Sequence, residues 1–206
     1  MQITVLGAAG RTGTAVLDRA LADGHQVLAL VRDRARLPRT DPGLNVVVGD
    51  ARQSDDLAKA LHGSGAVISA LGSTKGKDQL LARALRGLVA VAPAAGVRRV
   101  VVMSTFVASP NLKPGPMSKV LGSMMKSVLA DKADGEAVLV ASGLDWTVVY
   151  PTTLDKARAG LPVRVVGAGE VVSTTNAIAR EDVAAFLVAE ATSTAHVRQR
   201  LTITTT

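Results

Sequence analysis

Runs of apolar residues broken by short polar turns set the pattern of this chain from its start. Gln2-Ile3-Thr4-Val5-Leu6 reads as a strand, and small residues at 7–10 make a turn. An amphipathic helix follows, with Ala15, Val16, Leu17, Ala20 and Leu21 on its apolar face, and Gly24-His25 leads into a second strand at Gln26–Val31. The alternation continues with a strand at Leu44–Val48, a short helix at Ser54–Leu61, a strand at 66–70, a long helix at 79–95 and a strand at Arg99–Met103. The runs Val46-Val47-Val48 and Val100-Val101-Val102 do not alternate in polarity, which predicts parallel strands buried on both faces. Pro110, Pro114, Gly115 and Pro116 mark 109–117 as a loop. A helix over 118–142 then feeds a strand at 146–150, closed by Pro151; short strands lie within 161–172, a helix at 180–190 and a last strand at 201–204. Repeated βα units, without internal repeat or flexible linker, predict one α/β domain over residues 1–206. Its sheet is parallel and doubly wound, with helices on both faces, order 3-2-1-4-5-6, a small C-terminal extension and the site at the carboxyl ends of the strands.

Composition narrows the chemistry. The 206 residues are 48% hydrophobic, with a mean hydropathy of +0.28, as in a folded globule. Phe106, Phe186, Trp146 and Tyr150 are the only aromatics, so the core is aliphatic. Without cysteine there are no disulfides, thiolate nucleophiles or sulfur-ligated metals, and His25, His62 and His196 are too scattered for a zinc cluster. His25 and His62, at the start of a strand and the end of a helix, are read as structural. A net charge of +7 suits an anionic small molecule as well as a plain basic surface. Nucleic-acid binding would need a basic face with stacking aromatics or a reading helix, and neither is visible. No charged leader precedes the first strand and no apolar run nears ~20 residues, so a soluble, cytoplasmic protein is expected, with no membrane partner. Oligomeric state stays open.

The most informative stretch is Gly7-Ala8-Ala9-Gly10-Arg11-Thr12-Gly13, a GxxGxxG spacing between strand and helix. Any tight turn can use glycines. Here a strand precedes them and a helix and second strand follow, the setting in which a dinucleotide's pyrophosphate lies on a helix N-terminus. One glycine makes the turn, one lets backbone N–H groups approach the phosphates, and one lets the helix pack closely on the sheet.

GAAGRTG, then VRD after the second strand, GDARQSDDLAKAL, VISALGS, RRVVVMST and SGLDWTVVYPTTL together resemble the atypical short-chain dehydrogenase/reductases. The similar groups are the NAD(P)H-binding, NmrA-like proteins and the small biliverdin and flavin reductases. The resemblance spans nearly the whole chain, including the helix start at Ala179-Arg180-Glu181-Asp182-Val183-Ala184. It is specific for a Rossmann fold and its cofactor, and much less so for substrate.

Rossmann enzymes that prefer NAD carry a carboxylate about 20 residues after the glycine turn, for the ribose 2′-hydroxyl. Here the second strand ends in Val31-Arg32-Asp33-Arg34, with Arg36 and Arg39 beyond. Arg32 is placed to lie against an adenine and to pair with a 2′-phosphate, and Arg11 in the glycine turn is a second charge. A merely solvated arginine face is the alternative. Asp33 would argue for NAD, but it falls one residue past the strand and is read as starting the next turn, so NADP is expected. By resemblance, Asp50 is the acid that contacts adenine, with the Ala51 amide beside it. Its alternative is a helix cap, a task that Ser54 fits better. Ala70-Leu71-Gly72 passes close to a cofactor ribose, where small residues are needed. Gly7, Ala9, Gly10, Arg11, Thr12 and Gly13 complete the expected cofactor contacts.

The usual short-chain enzymes use a serine, a tyrosine and a lysine, the last two four apart on one helix, with the tyrosine protonating a carbonyl oxygen. Ser104 matches the serine and Lys132 the lysine, and both are expected at the nicotinamide. Four residues before Lys132 stands Val128, and the single tyrosine is Tyr150, in the strand before Pro151. Lys132 has a plainer alternative, an i,i+4 salt bridge with Glu136. Pro151-Thr152-Thr153 replaces the family's Pro-Gly-Gly-type turn at the nicotinamide carboxamide. Phe106, Met117, Met124 and Met125 are candidates for an apolar pocket beside it, although helix core suits the methionines better. Without the tyrosine acid, the chemistry expected is hydride transfer from NADPH to a conjugated acceptor, a flavin or quinone, which needs orientation more than a proton donor. The rivals are an NmrA-like redox sensor without turnover and a sugar-nucleotide epimerase, for which the chain lacks both the tyrosine and a large substrate domain.

Overall fold

The computed structural model describes residues 1–72, 79–154 and 158–206; Ser73, which ends the VISALGS stretch, lies outside them. Its first half runs β1 (Gln2–Leu6), α1 (Arg11–Ala22), β2 (Gln26–Val31), β3 (Leu44–Val48), α2 (Ser54–Leu61), β4 (Ala66–Ser69) and α3 (Leu80–Val91). The second half runs β5 (Arg99–Met103), α4 (Pro116–Met124), α5 (Lys126–Val140), β6 (Asp145–Pro151), β7 (Thr153–Leu154), β8 (Val163–Val165), β9 (Ala177–Ile178), α6 (Arg180–Ala191) and β10 (Gln199–Thr205).

The main sheet has the order β3-β2-β1-β4-β5-β6-β10-β8. Its first six strands follow the expected order and are parallel. The C-terminal part adds to the sheet: β10 pairs parallel with β6, and β8 closes that edge antiparallel. Strand alternation sends side chains to two cores. On one face Ile3, Val5, Val101, Met103 and Val149 pack under α1 and α6. On the other, Leu6, Val100, Val102, Trp146, Val148 and Tyr150 pack under α2, α3 and Leu139 of α5. This is a Rossmann-like, mostly parallel α/β sheet wrapped on both faces.

Four expectations need correcting. Val46–Val48 is not buried on both faces, because β3 is an edge strand: Val46 and Val47 are half-buried and Val48 is 58% exposed. The helix over 118–142 is two helices broken at Met125, just after Gly122, a poor residue for a helix interior. The break lets α5 press on α3, where a Cβ on Gly135 would lie 3.2 Å from the Ala82 nitrogen, while α4 turns away. The loop at 109–117 ends at Gly115, because Pro116 is already the first residue of α4, whereas Pro151 does close the sixth strand, as its last residue and in register with Ile203 of β10. Met117 and Met124 are 61% and 79% exposed, so neither is helix core. Among the described residues no helix is long and apolar enough to cross a membrane.

Candidate functional site

Two clefts open along the carboxyl ends of the parallel strands. The first, about 270 Å³, is lined by Gly7, Ala9 and Gly10 after β1, Arg32, Asp33 and Arg36 after β2, Asp50 and Ala51 after β3, and Ala70, Leu71 and Gly72 after β4. It therefore gathers nine of the sequence candidates at the point where the chain leaves four adjacent strands.

The glycine turn is needed for geometric reasons. Gly7 has φ +80°, and a Cβ there would lie 2.8 Å from the Ala70 carbonyl oxygen. A Cβ on Gly13 would lie 2.0 Å from the Gly7 oxygen, so Gly13 is what lets α1 press against the end of β1. The N-cap of α1 is Gly10, which has no side chain to cap it, and its first turn holds no acid. A helix start that holds no acid and borders a cleft floored by glycine fits a dinucleotide pyrophosphate. Thr12 and Gly13 are buried beneath this floor. Arg11 instead lines a separate cleft between α1 and the start of α6, with Gly160 and Asp182, and so is not brought to Arg32.

The arginine cluster divides. Arg34 donates to the Leu37 and Arg39 carbonyls, and Arg39 pairs with Asp18. Arg32 and Arg36 are exposed and line the cleft. Asp33 starts the next turn, as read from its position: its carboxylate accepts from the Ala35 amide at 2.9 Å. Asp50 lines the cleft, but its carboxylate grips Arg52, with Nη2 2.5 Å from Oδ2 and the Arg52 amide 2.9 Å from Oδ1. That guanidinium holds the Asp50 carboxyl below its usual range. Neither Asp50 nor Ser54 caps α2; Ser54 is already its first helical residue.

The second cleft, about 220 Å³, is lined by Ser104, Thr105, Phe106 and Val107 after β5, Pro151, Thr152, Thr153 and Leu154 after β6, Leu121 of α4 and Thr174. Phe106 is 6% exposed and also packs on Val166 and Val172. Beneath this cleft lies a cluster that the sequence reading only partly anticipated. On α5 the residues Asp131, Lys132, Gly135, Glu136 and Leu139 form one buried stripe at helical spacing. Ser104 and Tyr150 belong to the sheet face that this stripe covers. The Ser104 hydroxyl donates to Glu136 Oε1 at 2.6 Å, and the Tyr150 hydroxyl to Glu136 Oε2 at 2.5 Å. Arg200 Nε stands 3.8 Å from the same Oε2, with its guanidinium 6.0 Å from the Trp146 ring centroid. Glu136 thus spends its oxygens on Ser104 and Tyr150 instead of on a simple helix bridge to Lys132.

Lys132 is 5% exposed and lines neither cleft. Burial pulls its pKa down to about 8, against the opposing pull of the Glu136 and Asp131 charges. Burial and the Glu136 carboxylate push the Tyr150 hydroxyl up, which makes it a poor acid. Asp131, missed by the sequence reading, caps a helix other than its own: its oxygens accept from the Leu81 and Ala82 amides at 3.1 and 2.9 Å, at the start of α3. The buried polar stripe at i, i+1, i+4 and i+5 was the available signal for Asp131 and Glu136. Among the described residues no cluster of acids and histidines could hold a metal ion.

The architecture is shared with solved proteins. The oxidoreductase ylbE from Lactococcus lactis superposes with a TM-score of 0.83 at 24% identity, over 100% of this chain and 91% of that one. ChuY, an anaerobillin reductase from Escherichia coli O157:H7, gives 0.80 at 22% identity, over 100% and 97%. At such identities the likeness is one of fold. The Bacillus subtilis (strain 168) protein YwnB is 28% identical over 103 residues, a stretch covering 50% of this chain and only 46% of that protein. The profile of a family described as NAD(P)H-binding matches residues 7–194, the span that contains both clefts and the glycine turn, and the chain belongs to that family.

Proposed function

We propose that this protein is an NADPH-dependent oxidoreductase that reduces a conjugated acceptor such as a flavin or a quinone. When bound, the cofactor supplies a hydride, leaving as NADP⁺ while solvent supplies the proton that completes reduction of the acceptor. The chain's own residues supply binding and orientation. Gly7, Ala9 and Gly10, with the first turn of α1 at Arg11, Thr12 and Gly13, receive the pyrophosphate. Arg32, joined by Arg36, takes the 2′-phosphate, Asp50 and Ala51 border the adenine, and Ala70, Leu71 and Gly72 lie along the ribose. At the reacting end Ser104 meets the acceptor, and Pro151, Thr152 and Thr153 face the carboxamide, while Lys132, buried on α5 and lining neither cleft, supports this end from beneath without touching the ribose.

One observation carries the reading. The hydroxyls of Ser104 and Tyr150 both give their protons to Glu136, so neither serves as the acid that an alkoxide requires. An acceptor that delocalises the incoming charge needs no such acid. The same locked pair favours one rival, an NAD(P)-binding redox sensor without turnover. Mixing the purified protein with NADPH and FMN or menadione separates the two. Oxidation well above the uncatalysed rate, with a simple ketone left almost untouched, is the expected result. Saturable NADPH binding without acceleration by either acceptor hands the protein to the sensor reading.

A further inference from the structure

The second cleft has a hydrogen-bond polarity. Three of its hydroxyls direct their protons into the protein: Ser104 to Glu136 at 2.6 Å, Thr152 to Thr204 Oγ1 at 3.2 Å, and Thr153 to the Thr174 carbonyl at 2.7 Å. A hydroxyl has one proton and two lone pairs, so each of these presents only acceptor capacity to a ligand. At Ser104 the polarity is enforced. An ionised carboxylate only accepts, and the other Glu136 oxygen already serves Tyr150, which is 2% exposed, with Arg200 beside it. Reversing Ser104 would strand a buried carboxylate oxygen. Thr105 and Thr174, half-buried in the same cleft, are not fixed in this way.

We infer that Glu136 sets substrate specificity by turning Ser104 into a hydrogen-bond acceptor, so that the cleft selects ligands carrying a ring N–H, such as a cyclic imide or lactam, over acceptors that offer only carbonyl oxygens. This rests on the reading that the second cleft takes the acceptor. It narrows that reading from flavin or quinone to the isoalloxazine type, whose imide N–H meets the Ser104 oxygen. Glu136 acts here as a positioning residue, through Ser104, and does not itself touch the ligand.

The test is calorimetric binding to the NADP⁺-saturated protein, which reads polarity whether or not hydride moves. The probes are lumiflavin, its N3-methyl derivative and menadione. Lumiflavin should bind about tenfold tighter than the N3-methyl compound, as expected for the loss of a hydrogen bond to a buried acceptor. Ser104→Ala should shrink that ratio towards one. Glu136→Gln keeps the shape and reverses the polarity: the amide oxygen stays with Tyr150 and Arg200, and the amide N–H₂ donates to Ser104, whose proton then faces the cleft. In Glu136→Gln, lumiflavin should weaken about tenfold while menadione binds more tightly; a thermal melt like that of the wild type shows that the fold is kept. Equal binding of the two flavins by wild type, no binding of either, or unchanged preference in Glu136→Gln overturns the inference. If preference and reversal both appear without NADPH oxidation, the polarity stands and the oxidoreductase reading falls.

Discussion

Burying Lys132 costs the folded state stability, and that cost depends on pH in a defined direction. Its pKa of about 8 lies below the ordinary lysine value of 10.5. Between those values the unfolded chain holds more protons than the native one, so this residue's contribution makes stability rise with pH through that window, while below it the full penalty stands. Lys132→Met should therefore lose the part of the rise in stability between about pH 8 and 10.5 that this residue carries, while it also takes from Glu136 and Asp131 the buried cation beside them. Urea unfolding of both proteins across pH checks this; a variant whose stability climbs as steeply as that of the wild type between about pH 8 and 10.5 contradicts it. Arg32 is the other residue whose role can be isolated. It is exposed in the first cleft, and the neighbouring Asp33 carboxylate is bound to the Ala35 amide. Arg32→Ala should weaken NADPH binding by roughly 1.5–3 kcal/mol, tenfold or more, and leave NADH nearly unchanged. Equal affinities for the two cofactors in the wild type would remove the basis for NADP preference.

The elements meet at a few tight points, and these are where single changes should tell. Asp131 reaches from α5 to the first turn of α3, whose N-cap position is Gln79 with φ 43° and no capping side chain. Asp131→Ala leaves two buried amides without their acceptor and should cost about 2 kcal/mol in chemical denaturation. A loss of only a few tenths would mean that α3 finds another cap. Gly13→Val forces a side chain against the Gly7 carbonyl and should abolish NADPH binding even where folded protein remains. Undiminished NADPH affinity in a calorimeter would disprove the role given to the turn. Most of the elements could be read from the sequence, since strands buried between helices leave long apolar runs. The failures share a cause: periodicity reports which residues are apolar, not what lies beside them. Val46–Val48 looks like Val100–Val102 in sequence, yet one borders solvent at a sheet edge and the other lies mid-sheet. Likewise α4 and α5 read as one helix because each is helical; the break at Met125 shows only in the fold, where α5 packs on α3 and α4 buries no residue.

Across the whole molecule, the two clefts differ in how well the sequence foretold them. The first is built from backbone turns after successive strands, so consecutive residues such as Gly7–Gly10 and Ala70–Gly72 suffice to mark it. The second depends on side chains brought together from β5, β6, α5 and β10: Ser104, Tyr150, Glu136 and Arg200 are separated by long stretches of chain. Val128 stands four residues before Lys132, where the usual tyrosine would be, while Tyr150 approaches Glu136 from the sheet. The glycine-floored cleft, which the proposed function assigns to the cofactor, is accompanied by a second cleft whose fixed hydroxyls keep their protons within the protein. Single-turnover oxidation of NADPH by FMN on the purified protein tests the central claim most directly, using cofactor deuterated on either face of the nicotinamide C4. The account predicts a protein-dependent oxidation that deuterium slows on one face only. Oxidation no faster than in buffer, with the protein saturated by NADPH, would contradict it.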